Sequence, residues 1–182
     1  MTEQAVFEAR PVINETGNPV SAAIETLEST IAPNGMVSIP IDVERVVNDL
    51  GLQVQKLPLD PGVDGILVKD KAGEPFKAVA DSSAHEHRQR FTLAHELGHY
   101  VHKYQSVPIE EKMGRVERRD DTSSKGIDYE EIWANKFAAS LLMPASIVRK
   151  YWGEGLTRAA MAKLFNVSER SMDIRLTTLG LK

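Results

Sequence analysis

The sequence predicts an α+β fold, in which a small sheet of three mainly antiparallel strands packs on an active-site helix and is followed by a helical C-terminal part. Three observations indicate this class. Apolar residues recur at helical spacing before residue 51, three short β-like runs follow, and two longer helical patterns come after them. The 182 residues are enough to bury one core with a small appendage.

For the N-terminal part, the sequence predicts a loose arm followed by two helices. Residues 1–20 are polar with scattered Pro and Gly, which is typical of a loose arm, and residues 21–30 predict a short helix. Ile41, Val43, Val46, Val47 and Leu50 then recur at helical spacing, and Gly51 is suited to end that helix.

Three short runs, residues 52–57, 65–68 and 76–80, predict strands because turn-rich pieces separate them. The turn-rich pieces around residues 58–62 and 71–75 favour an antiparallel meander. A substrate segment could then add as a further strand beside the 76–80 run, at the edge of the sheet.

For the rest of the chain, the sequence pattern predicts several helices and one long loop. Ser83 and Glu86 form a capping-box pattern for a helix that runs to about residue 104. The charged, turn-rich segment 105–127 predicts a loop, and loops of this length are often functional. A second helix is predicted over 128–142, with two or three shorter helices after it.

Composition narrows the function classes. The chain has no cysteine, which excludes disulfides, a thiol nucleophile and a thiolate metal site. The net charge of −4 argues against a dedicated polyanion binder, although residues 144–182 carry seven basic and three acidic residues. The first residues lack the apolar core of a signal peptide, and no long apolar run occurs, so we expect a cytoplasmic protein that does not enter a membrane.

Residues 95–99, His-Glu-Leu-Gly-His, lie in the middle of the first long helix. His95 and His99 are four residues apart, so they share one helix face, about one turn or ~6 Å from each other, and can reach one metal ion. Glu96 beside them is the expected general base. This pattern is typical of zinc hydrolases and predicts one zinc ion per chain.

A catalytic zinc needs a third protein ligand. The second long helix opens with Glu130 and Glu131. Since Asn135 stands four residues after Glu131, Glu131 could bind the ion while Asn135 orients one imidazole. Glu131 is the favoured ligand. One alternative is that Glu130 binds the ion. The other is that neither acid binds it, and that both only interact favourably with the dipole at the start of the helix.

A further electrophile should stabilise the tetrahedral intermediate of a peptide cleavage, and Tyr104, Tyr129 and His102 are the candidates. The competing interpretation is that each is a half-buried surface residue. His102 lies ~10 Å along the helix axis from His95, so we interpret it as a packing residue or a support for the ligands rather than as a ligand.

Residues 156–179 resemble a helix-turn-helix, with Ser168 as the N-cap of the second helix and Arg170 and Arg175 on or near it. Helices joined by a tight turn are more often packing units than DNA readers, so packing is the favoured interpretation.

Two separate motifs resemble those of the ImmA/IrrE family of bacterial metallopeptidases. They are Arg-Gln-Arg-Phe-Thr-Leu-Ala-His-Glu-Leu-Gly-His at residues 88–99, and the pattern that runs from Glu131 through Ala134-Asn135 to Leu-Leu-Met-Pro144. The likeness covers roughly residues 38–181. One departure is Trp133, where many relatives carry an acid.

The resemblance implies a minimal thermolysin-like zinc fold, with His95, His99 and Glu131 as zinc ligands and Glu96 as the catalytic base. It also implies cleavage of a protein, usually a helix-turn-helix repressor, which relieves repression after DNA damage, in mobile elements or in phage defence. A nucleic acid is a possible activator, as single-stranded DNA is for some defence-linked relatives.

The expected domains are residues 1–37, an N-terminal arm with a short helix, residues 38–145, the zinc metallopeptidase core, and residues 146–182, a helical segment that resembles a helix-turn-helix. Two alternative functions stay open. One is a non-catalytic regulator, such as a toxin–antitoxin or DNA-binding module that retains the fold, and the weaker one is hydrolysis of a small amide.

Overall fold

The computed structural model describes residues 11–108, 111, 117–120 and 129–181. The helices are α1 (Pro19–Ser29), α2 (Val43–Asp49), α3 (Glu86–His99), α4 (Tyr129–Leu142), α5 (Ala145–Gly153), α6 (Arg158–Phe165) and α7 (Glu169–Thr178). A π-helical turn, Tyr100–Tyr104, continues α3. The strands are β1 (Gln53–Leu57), β2 (Val63–Val68), β3 (Lys77–Asp81) and β4 (Glu117–Asp120). The α+β class is therefore confirmed.

The sheet has the strand order β1-β3-β2-β4, with β3 parallel to β1 and antiparallel to β2. The predicted meander is wrong in its order, because β3 lies between the two strands that precede it in the chain. The burial of the strands gives the reason. Ala78, Val79 and Ala80 are all buried, which requires neighbours on both sides, whereas β1 carries polar, largely exposed residues suited to an edge.

The central position of β3 overturns a second expectation. Because β3 is paired on both sides, no substrate strand can add beside the 76–80 run. On the far side of β2 lies β4, antiparallel to it, within the stretch that the sequence predicts as a loop. Most of the predicted loop 105–127 lies outside the described residues, as do residues 1–10 of the predicted arm.

One core joins the sheet to the helices. Helix α3 packs against β2 and β3, α4 packs along α3, and α1 packs on α4. The short helix predicted near residue 21 is confirmed as α1, whose Asn18 side chain accepts hydrogen bonds from the N–H groups of Val20 and Ser21. Helix α1 buries Ala22, Ala23 and Leu27, so it belongs to the same core as α4.

The start of α3 differs from the predicted capping box. The helix begins at Glu86, and the Nδ1 atom of His85 accepts a hydrogen bond from the N–H of His87 at 3.2 Å. Ser83 is held instead in the preceding turn, where its hydroxyl and its N–H donate to the Asp81 carboxylate at 2.5 and 3.1 Å. The π-helical turn carries the helical path to Tyr104, which confirms the predicted end.

The C-terminal helices pack on the core through Arg175. This side chain is 6 % exposed, and its Nε donates to the carbonyl of Met143 at 2.9 Å, which ties α7 to the end of α4. Ser168 is the N-cap of α7, as predicted, and accepts from the N–H of Ser171. Within the part of the chain that the structure describes, no helix has the length and apolarity needed to span a membrane.

Candidate metal centre

Helices α3 and α4 bring three potential metal ligands together. The Nε2 atom of His95 lies 3.2 Å from one carboxylate oxygen of Glu131, and the Nε2 atom of His99 lies 3.1 Å from the other. The two Nε2 atoms are 3.0 Å apart. Both imidazoles are buried and Glu131 is half-buried, so the cluster is largely shielded from solvent.

These distances fit a small divalent cation. Ligands at about 2.0–2.1 Å from a tetrahedral ion are separated by roughly 3.3 Å, close to the three separations in this cluster. Both histidines direct the same ring nitrogen toward the carboxylate, where lone pairs can meet one ion. Two imidazoles and one carboxylate are also a donor set that zinc prefers in catalytic sites.

Asn135 sets the orientation of His95. Its Oδ1 atom lies 3.1 Å from the Nδ1 atom of His95, so the tautomer that donates there leaves Nε2 as a lone-pair donor. Asn135 stands one turn after Glu131 on α4, and the helix therefore places both side chains along α3. The Nδ1 atom of His99 is buried and finds no hydrogen-bond partner among the described residues.

The cluster favours a charged carboxylate. When His95 and His99 carry a proton on Nε2, their hydrogen bonds hold the pKa of Glu131 far below its ordinary value, although burial acts in the opposite direction. A carboxylate that stays ionised at any physiological pH is the form that a cation requires.

Glu130 lies on another side of α4. Its Oε2 atom is 2.6 Å from the Nδ1 atom of His102 and 3.5 Å from the Nζ atom of Lys103. The structure thus brings Glu131, and not Glu130, to the two histidines. His102 also stacks on Trp133, with ring centroids 4.4 Å apart, so this side of α4 is attached to the π-helical turn.

The other two proposed stabilisers of the intermediate lie in different surroundings. Tyr104 is 6 % exposed and packs on Phe76 at a centroid distance of 5.7 Å. Tyr129 is 60 % exposed, and its ring lies 6.2 Å from that of His102. The roles proposed for Tyr104, Tyr129 and His102 stay predictions.

Glu96 is buried on the face of α3 that meets strand β2. A Cβ atom added at Gly65 in β2 would lie 3.3 Å from a Glu96 carboxylate oxygen, 2.2 Å from Cγ2 of Thr92 and 2.8 Å from the carbonyl oxygen of Val79. Only glycine lets the strand approach the helix this closely. Gly65 was not among the predicted site residues, although a glycine inside a strand pattern is a signal for such an approach.

Gly98 has the same function between the helices. A Cβ atom there would lie 3.1 Å from Cδ1 of Phe137 and 3.2 Å from Cα of Ala134. The absence of a side chain at Gly98 lets α4 come close enough for Glu131 to reach both histidines. The motif alone assigns no role to Gly98, because its neighbours on α4 are distant in the chain.

The arrangement can perform metal-assisted hydrolysis, since it combines three ligands for one cation with a buried carboxylate next to the first ligand. A family model described as the IrrE N-terminal-like domain, of peptidase family M78, matches residues 47–177. The match extends from α2 into α7 and so includes the metal centre and the C-terminal helices. No curated protein matches the chain at a significant level.

Proposed function

The chain belongs to peptidase family M78, the peptidases with an IrrE N-terminal-like domain, and on that premise we propose that it is a zinc-dependent endopeptidase of narrow specificity that cleaves a helix-turn-helix transcriptional repressor. The observation that carries the zinc-dependent part is the contact of both His Nε2 atoms with the two oxygens of Glu131 at 3.1 and 3.2 Å. The repressor as substrate rests on the resemblance to the ImmA/IrrE peptidases.

His95, His99 and Glu131 would hold the ion, and Asn135 would keep the His95 ring in place. When bound, zinc supplies Lewis acidity that polarises the scissile carbonyl and makes water a stronger acid. Three protein ligands leave one position for water or substrate, which is the arrangement of catalytic rather than structural zinc sites.

Glu96 acts as the general base. It follows His95 directly, and its buried carboxylate is suited to accept the proton of the water that attacks the carbonyl carbon. The same carboxyl group then gives that proton to the amide nitrogen as the C–N bond breaks. The products are a new carboxyl terminus and a free amine, and Glu96 returns to its ionised form.

The test is incubation of the zinc-loaded protein with any helix-turn-helix repressor encoded next to its gene. Intact-mass spectrometry should show cleavage at one peptide bond, and a chelator should prevent it. Glu96→Gln keeps the size of the side chain and the zinc ligands, so this variant should bind zinc but lose activity by about 10²–10⁴-fold. A repressor that stays intact with the active protein, with and without single-stranded DNA as activator, would contradict the proposal.

A further inference from the structure

A groove runs between α7 and the pair α3–α4. Two surface depressions of about 590 and 570 Å³ lie there, and Phe91, Ser171 and Ile174 line both of them. The shared residues show that the two depressions are parts of one groove. Its volume is in the range of sites that hold a side chain or a short peptide segment.

One residue that lines the groove contacts a ligand of the metal centre. Asn135, whose Oδ1 atom contacts His95 at 3.1 Å, lines the depression beside α4. Phe91 stands four residues before His95 on α3, so it lies one turn away on the same helix face. A polypeptide with its scissile bond at the metal centre could therefore place a neighbouring side chain in this groove.

The groove has an apolar floor and a basic rim. Phe91 and Ile174 contribute apolar surface, and Ile174 is 57 % exposed although it is a large aliphatic residue. Lys136 and Arg170 are exposed on either side. Among the described residues that line the groove, the one carboxylate is that of Asp64, which accepts two hydrogen bonds from Arg88.

We propose that this groove binds the substrate polypeptide, with a large apolar side chain against Phe91 and Ile174 and an acidic residue near Lys136 or Arg170. Helix α7 would then be a wall of the substrate site and a determinant of specificity. This inference rests on the proposed peptidase function.

The groove fits a polypeptide better than DNA. Protein surfaces that bind DNA are polar and contact phosphates, whereas the floor of this groove is apolar. Arg175, the second arginine of α7, is 6 % exposed and donates to the carbonyl of Met143, so its charge is used inside the protein. The basic rim complements a carboxylate beside an apolar side chain.

Calorimetric titration of the zinc-loaded protein with short peptide hydroxamates tests the proposal. Hydroxamates bind zinc directly, so affinity is measured without a substrate. A compound with a leucine side chain should bind about ten- to a hundredfold more tightly than its glycine counterpart. Leucine followed by aspartate should bind more tightly than leucine followed by asparagine.

Two pairs of variants test whether the preferences for leucine and for aspartate arise in the groove. Ile174→Ala should reduce the preference for leucine over glycine by about three- to tenfold, whereas Ile24→Ala should not change it. Ile24 is a matched control because it is 49 % exposed on α1 and lines neither depression of the groove. Lys136→Gln combined with Arg170→Gln should remove the preference for aspartate, and Lys163→Gln on α6 should keep it.

The outcomes distinguish failure of the groove proposal from failure of the zinc-dependent function on which it rests. If the glycine compound binds but leucine gives no advantage, the groove proposal is wrong and the zinc centre stands. If neither hydroxamate binds, the zinc-dependent function fails and the groove proposal fails with it. Displacement of the leucine compound by a 20-base-pair DNA duplex, with loss of DNA binding in Arg170→Gln, would also overturn the proposal and indicate a nucleic-acid surface.

Discussion

The contact between β2 and α3 predicts that Gly65→Ala damages both stability and catalysis. The new methyl group would lie 2.2 Å from Cγ2 of Thr92 and 2.8 Å from the carbonyl oxygen of Val79. Carbon atoms in favourable contact are about 3.5–4.0 Å apart, so the first overlap exceeds roughly 1 Å. Because Val79 offers a backbone atom of the neighbouring strand, side-chain rotation alone cannot relieve the strain.

The magnitude follows from the two overlaps. Overpacking of a core costs about 1–3 kcal/mol, and removal of a glycine from a strand recovers at most about 1 kcal/mol. We expect a net loss of about 2 kcal/mol in the free energy of unfolding. For a chain of this size the loss corresponds to roughly 4–8 °C in Tm. Since β2 also faces Glu96, its displacement should lower peptidase activity further.

Urea unfolding of the zinc-free variants, followed by circular dichroism, measures the loss without the contribution of the metal. Adding Thr92→Ser to Gly65→Ala removes the atom of the closest overlap and should restore about half of the lost stability. The control is Gly153→Ala, because a Cβ atom at that position has nothing within 4 Å. If Gly65→Ala were as stable as the parent protein, or if Thr92→Ser gave no recovery, the described approach of strand and helix would be incorrect.

Three other predictions concern the metal centre and its surroundings. Asn135→Ala removes the hydrogen bond to His95 and should weaken zinc binding by about 10–100-fold in a chelator competition, whereas Asn135→Asp should retain most of the affinity. His102→Ala removes the contact with Glu130 and the stack on Trp133, and should lower the free energy of unfolding by about 1–3 kcal/mol in urea titrations. Free zinc at a thousand times its Kd should raise the free energy of unfolding by about 4 kcal/mol, which corresponds to roughly 8–16 °C in Tm by calorimetry. An unchanged Tm would show that the folded protein has no zinc site that the unfolded chain lacks.

Local patterns in the sequence predicted the helices and the spacing of the histidines. His95 and His99 are separated by one helical turn, and Asn135 follows Glu131 by one turn, so helix geometry alone places each pair on one face. These features need no knowledge of how distant segments pack. For the same reason, the N-cap at Ser168 was predicted from its neighbours alone.

The spacing from Asn135 favoured Glu131 over Glu130, but only the structure shows the rotation of α4 that decides between them. Adjacent residues on a helix point about 100° apart, and the sequence alone does not fix how α4 is rotated about its axis. The buried face of α4, which includes Ala134, Phe137 and Ala138, sets that rotation and turns Glu131 toward the histidines.

The order of the strands and the glycine contacts also escaped prediction because they depend on distant segments. A meander and the observed order contain the same runs of residues, and the unbroken apolar run Ala78–Val79–Ala80 was the sequence sign that β3 is central. Gly65 and Gly98 matter through the atoms they face across the fold, and those neighbours are 14 or more residues away in the chain.

The most direct test of the zinc centre is a calorimetric zinc titration combined with X-ray absorption spectroscopy of the loaded protein. We predict one zinc ion per chain, with two imidazole nitrogens and a carboxylate oxygen at about 2.0–2.2 Å. Glu131→Gln should weaken zinc binding strongly, whereas Glu130→Gln, the matched control one residue away, should stay within about tenfold of the parent protein. Unchanged zinc affinity in Glu131→Gln, or a greater loss in Glu130→Gln, would contradict the assignment of the centre to His95, His99 and Glu131.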